Sequence, residues 1–138
     1  MIDLVFKNWT SQKAPGEKFF KNILEKSAEV LKLNQKLEVS VSIVGEQKIK
    51  GLNKKYRGKD KSTNVLSFPL GDGNGDVFIC LSIAKVEAKS ENISIEKKLA
   101  RLAVHGFLHL RGYDHEKSKN AAKEMFDLED KILSNFNG

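Results

Sequence analysis

The chain is poor in the residues that staple a fold or break it into pieces. Its one cysteine in 138 residues, Cys80, cannot form an internal disulfide, and such sparse usage fits a reducing compartment. Ile79 and Leu81 flank it, so it reads as a buried strand thiol rather than a nucleophile or a ligand. With two prolines and no low-complexity run there is no linker to find, and residues 1–138 read as a single domain near the commonest domain size. No apolar run approaches the roughly 20 residues that span a bilayer. Asp3 falls early in an apolar start too short for a signal peptide. These absences argue against a membrane protein and a disulfide scaffold, and a cytoplasmic protein is expected. Histidine is the most unevenly placed scarcity, with all three residues inside positions 105–115.

What is abundant is positive charge, and it sits in one half. Residues 1–60 carry 13 Lys/Arg against 7 Asp/Glu, whereas residues 61–138 carry 11 of each. Within 46–61 seven basic residues, Lys54, Lys55, Arg57, Lys59 and Lys61 among them, face two acids. A patch of that density is the footprint of a phosphate-backbone binder, although most charge runs are simply solvated faces.

Hydrophobic spacing predicts an α+β domain, with about five helices packed on a small mixed sheet of four strands. Strands are expected at 2–6, 37–43, 64–68 and 76–81. The clearest is the second, where Leu37, Val39, Val41 and Ile43 alternate with Glu38, Ser40 and Ser42. Helices are expected at 17–33, ending near Asn34, and at 46–56, with Ile49, Leu52 and Tyr56 on one side. Three more are expected at 83–91 capped by Ser82, at 95–111 capped by Ser94, and at 117–136. The run Gly71-Asp-Gly-Asn-Gly75 suits a hairpin turn.

The histidines organise the rest. His105 and His109 are four apart, hence one turn apart on one helix face. Gly112 tolerates the left-handed conformation that ends a helix, and three further residues suffice to swing His115 back. Three imidazoles around Zn²⁺ leave one tetrahedral position open, the mark of a catalytic rather than a structural site. Position 106 is Gly, so the glutamate of the H-E-x-x-H metallopeptidases is missing.

The stretch His105-Gly-Phe-Leu-His-Leu-Arg-Gly-Tyr-Asp-His115 resembles the H-G-x-L-H-L-x-G-Y-D-H signature of the YbeY family, bacterial metal-dependent endoribonucleases. A second block is similar to that family's N-x-x-Y-R-x-x-D-x-x-T-x-V-L-S-F-P segment through Asn53, Tyr56, Arg57, Asp60, Thr63 and Val65 to Pro69, with Ser62 where proline is usual. Gly75-Asp76 resembles its third block, a strand opening. The resemblance implies a zincin-like fold, one Zn²⁺ held by His105, His109 and His115, and cleavage of single-stranded RNA rather than DNA. It further implies work on ribosomal RNA maturation and quality control, especially of the small subunit, in association with the ribosome. His109 and Arg57 then become the expected catalytic residues, with Arg57 clamping the phosphate. Lys54, Lys55, Lys59 and Lys61 would hold the strand on either side. Asp114 is expected either to orient a histidine N–H or to cap the turn after Gly112. Tyr56 could stack a base, but its spacing with Ile49 and Leu52 favours the core. Two rival functions remain: a metallohydrolase of another class, such as a peptidase, and an RNA-binding factor whose metal is structural.

Overall fold

The computed structural model describes residues 1–134. Four strands, β1 (Ile2–Asn8), β2 (Leu37–Val44), β3 (Val65–Gly71) and β4 (Asn74–Cys80), form one sheet in the order β1-β2-β4-β3. β1, β2 and β4 run parallel, and β3 pairs antiparallel with β4 at the edge. Five helices accompany them: α1 (Glu17–Val30), α2 (Glu46–Arg57), α3 (Leu81–Glu91), α4 (Ile95–Leu110) and α5 (Lys119–Ser134). The α+β class and the mixed four-stranded sheet are as the spacing predicts.

One face of the sheet carries the main core. Alternate strand residues Ile2, Leu4, Leu37, Val39, Val41, Ile43, Val77 and Ile79 share one core there with α1 and α4, and α5 packs on those two helices. α2 covers part of the other face over a smaller cluster of Val44, Ile49, Leu66 and Cys80. Helix α4 is the centre of the molecule, with ten of its sixteen residues buried. Gly106 is what lets it lie so close to the sheet. A Cβ there would fall 2.6 Å from Val77 Cγ1 and 3.0 Å from Ser67 Oγ, while Ser67 Oγ donates to the Gly106 carbonyl at 2.9 Å. Overpacking costs about 1–3 kcal/mol, whereas removing a helical glycine returns at most about 1 kcal/mol. Gly106→Ala is therefore expected to be no better than neutral and Gly106→Val clearly destabilising, by a few kcal/mol, read as a lower urea midpoint.

Several boundaries differ from expectation, each for a local reason. α1 stops at Val30 because Lys32 takes a left-handed φ of 57° and Leu33 N–H closes the end on the Ala28 carbonyl at 2.9 Å, before Asn34 is reached. β1 runs on to Asn8, where its ladder to Ile43 holds it. β3 continues past Pro69 to Gly71 with a shift in register, which an edge strand accommodates. The turn is the two residues Asp72-Gly73, with φ of 57° and 84°, the left-handed pair that a tight hairpin requires. Ser82 lies inside the first turn of α3 and Cys80 precedes the helix, so the expected serine cap is not made. Ser94 does cap α4, its hydroxyl accepting from Lys97 N–H at 3.1 Å. α5 starts at Lys119, two residues later than expected, and the expected positions 135–136 lie outside the described residues.

Candidate metal centre and active-site cavity

The local sequence at the end of α4 explains how three histidines meet. Gly112 takes a left-handed φ of 96°. Its N–H bonds back to the His109 carbonyl at 3.0 Å and Tyr113 N–H to the Leu108 carbonyl at 3.1 Å, the double closure of a glycine-terminated helix. Tyr113 then packs on the main core and anchors the reversal. Asp114 Oδ1 accepts from Glu116 N–H at 2.9 Å, which tightens the turn that presents His115. The ring centroids of the three histidines end 4.8, 4.9 and 5.2 Å apart.

Each imidazole offers one nitrogen, and the three nitrogens lie within 4.8 Å of one another. His109 Nε2 and His115 Nδ1 are 3.2 Å apart. A tetrahedral ion with bonds of about 2.0–2.1 Å separates its ligand atoms by roughly 3.3 Å, so this edge already has the required length. Burial, followed by the neighbouring His105 and His115 rings, pushes the His109 pKa down from 6.5 to about 4. His109 is therefore neutral at physiological pH, the form in which imidazole ligates. The donor set, three imidazoles without a thiolate or carboxylate, fits a metal ion.

That depression has a consequence for the metal-free protein. The folded pKa lies below the unfolded value of about 6.5, so the unfolded chain binds the proton more readily. The stabilising effect is complete above about pH 6.5 and is lost as pH falls towards 4. Chemical denaturation between neutral pH and about pH 5 should show a larger loss for the wild type than for His109→Asn.

Arg57, the last residue of α2, lines the same cavity of about 680 Å³ as His105, His109 and His115. Among the described residues it makes no salt bridge, unlike the other two cations on the wall. Lys98 is held by Glu87 at 3.2 Å and Glu91 at 2.9 Å, and Arg101 by Glu129 at 3.1 Å and Asp130 at 2.9 Å. Lys54, Lys55, Lys59 and Lys61 are exposed, and none of them lines the cavity. Buried Asn53 fixes that loop, its side-chain NH₂ donating to the Lys61 carbonyl at 2.9 Å and its backbone carbonyl accepting from Lys59 N–H at 3.3 Å. Tyr56 departs from expectation. It is 59% exposed rather than in the core: it shares a helix face with Ile49 and Asn53 but sits in the last turn of α2, where its ring meets Phe68, centroids 5.3 Å apart.

One residue of the site goes unnoticed in the sequence. Glu129 on α5 is 5% exposed, and its Oε2 lies 2.6 Å from His105 Nδ1, within hydrogen-bond distance. Its signal was position: it lies four residues after Met125 and three before Ile132, on the apolar stripe, where a carboxylate needs a reason.

Comparison with known proteins bears on this arrangement directly. The family model described as endoribonuclease YbeY matches residues 5–137. A YbeY endoribonuclease of Sulfurihydrogenibium sp. is 45% identical over 124 residues, covering 85% of this chain and 81% of its own. The chain belongs to the YbeY family. A second family member, from Aquifex aeolicus, is 43% identical over 138 residues and covers 93% of this chain and 91% of its own. A solution structure of a Thermotoga maritima protein superposes with a TM-score of 0.66 at 35% identity, covering 95% of this chain and 87% of that one. The two long blocks that resemble YbeY meet in the fold: Arg57 and residues 63–67 and 69 form one wall of the cavity, and residues of 105–115 another.

Proposed function

We propose that RNA is cut in this cavity, with a metal ion held by His105, His109 and His115 and Arg57 clamping the scissile phosphate. As a member of the YbeY family the protein is an endoribonuclease, a hydrolase of RNA phosphodiester bonds. The observation that carries the assignment of roles is that one concave surface holds both the three-imidazole cluster and an arginine with no salt bridge among the described residues. Zinc is the metal we assign, since three imidazoles with an open fourth position are a catalytic zinc donor set, and when bound it would supply a Lewis acid beside the phosphate. Arg57 can offer two parallel N–H donors to the non-bridging oxygens, where charge builds as the bond breaks. The exposed lysines 54, 55, 59 and 61 hold the backbone on the approach to the cavity. Asp114 shapes the turn that carries His115.

Small-subunit ribosomal RNA, single-stranded where it is cut, is the substrate we assign, with the enzyme working at the ribosome in the cytoplasm. No helix among the described residues is long and apolar enough to cross a membrane. The peptidase reading loses ground to the family membership and to Gly106, whose place against Val77 has no room for a glutamate.

Cleavage of a labelled single-stranded RNA, with single-stranded DNA alongside, tests the proposal. RNA alone should be cut, a chelator should stop it, and zinc should restore it. Chelator-resistant cleavage by pure protein would overturn the metal's role. Tyr56, next to Arg57 in sequence, supplies a further expectation, because its ring is exposed with Lys55 Nζ 5.2 Å from the ring centre. A stacked base is worth about 1–3 kcal/mol, so Tyr56→Leu should raise KM by about tenfold while leaving kcat nearly intact. Tyr56→Phe should behave as wild type, since stacking needs the ring and not the hydroxyl.

A further inference from the structure

The Glu129 carboxylate is gripped from two sides. Arg101 Nε donates to Oε1 at 3.1 Å, which commits that oxygen as an acceptor, and Oε2 meets His105 Nδ1 at 2.6 Å. Arg101 is held in turn: Nη1 donates to Asp130 at 2.9 Å and the guanidinium lies 4.5 Å from the centre of the Phe126 ring. All of these partners come from α5, so the last helix of the described chain reaches over α4 to touch a histidine of the metal cluster.

We infer that Glu129 is a positioning residue of the metal centre, with Arg101 as its anchor, and that the pair sets the tautomer of His105. An ionised carboxylate can only accept, so His105 must carry its proton on Nδ1. That leaves the Nε2 lone pair free for the metal, and the ring is held in one orientation before any ion arrives. The inference rests on the metal-centre reading above. A purely structural role would be different: an ion pair joining α5 to α4 would affect stability and leave the choice of tautomer untouched.

The isosteric change Glu129→Gln separates the two. An amide has one acceptor and one donor end. Arg101 Nε can only donate, so it keeps the amide oxygen. The NH₂ group then faces His105 Nδ1, which has to become the acceptor. The proton moves to Nε2, and the ligating lone pair is gone.

The experiment titrates zinc into metal-free wild type, Glu129→Gln and the double variant Arg101→Met/Glu129→Gln. The His105 tautomer is read by long-range ¹H–¹⁵N NMR, and melting temperatures are recorded throughout. Expected are wild-type His105 protonated on Nδ1, Glu129→Gln protonated on Nε2, and zinc affinity lowered about 10–100-fold in that variant. The double variant should recover part of the affinity, because an amide released from Arg101 can turn its oxygen to Nδ1. Wild-type affinity in a folded Glu129→Gln would overturn the inference, as would a loss of affinity with the proton still on Nδ1. Should Glu129→Gln fail to fold, the wild-type spectrum still decides, since a proton on Nε2 there sinks the assignment. Wild type that binds no zinc would overturn the metal-centre reading itself, with the tautomer measured independently.

Discussion

His109→Ala is expected to abolish RNA cleavage and empty the metal centre without unfolding the domain. His109 is one of the three ligands proposed above, and the two that remain lie on different segments, a helix and a turn. The helix around it does not depend on it: Phe107, Leu108 and Leu110 are buried and hold α4 to the sheet and to α1. Removing the Lewis acid forfeits several kcal/mol of transition-state stabilisation, and each 1.4 kcal/mol is tenfold, so cleavage should fall by at least about a thousandfold. Metal content, cleavage rate and melting temperature of one preparation check this together. An RNA-binding factor with a structural metal makes the opposite forecast: His109→Ala would melt tens of degrees lower or fail to fold. Full cleavage by a metal-free His109→Ala would remove the metal from the reaction altogether.

Arg57→Ala is expected to lower kcat by about 10²–10³-fold, the usual effect of deleting one donor to a developing oxyanion, with metal content unchanged. Stability should hardly move, because the side chain is exposed and has no ion pair to lose among the described residues. Arg57→Lys is the informative companion. It keeps the charge but loses the planar fork, so it should fall between wild type and alanine if two parallel N–H donors grip the phosphate. A lysine variant equal to wild type would reduce the residue to a point charge. Loss seen only in KM would assign Arg57 to strand binding rather than to the transition state.

Much of this architecture is legible in the residues, because period and burial coincide. β2 alternates strictly since one of its faces meets the main core, and α4 reads as a helix with a serine at its start and a glycine just beyond its end. The histidine triad is legible for the same reason, as helical spacing plus one glycine-made reversal. Glu129 is not, because a buried carboxylate breaks the rule by which buried positions are recognised, and its partners His105 and Arg101 are more than twenty residues away. Tyr56 fails in the opposite sense. Its spacing puts it with Ile49 and Leu52, but an edge strand offers α2 too little surface to cover a third large side chain. The end of α1 turns on Lys32 adopting a positive φ, a conformation that no residue type at that position announces. Gly106 is visible as a missing glutamate, whereas its actual work, the close approach of helix and sheet, exists only once Val77 is in place.

The strand order also governs how the enzyme comes into being. Ile2 waits for Leu37 and Val39 for Gly75, so both parallel ladders join stretches far apart in the chain and must close long loops first. Folding of this kind is slow for the chain's size, and β1, made earliest, has no neighbour until β2 follows. Helix α4 comes after all four strands and rests on the last two. On a ribosome making this protein, His105 and His109 thus emerge after every strand of the sheet, and a chain halted before residue 95 has none of the three histidines to offer an ion.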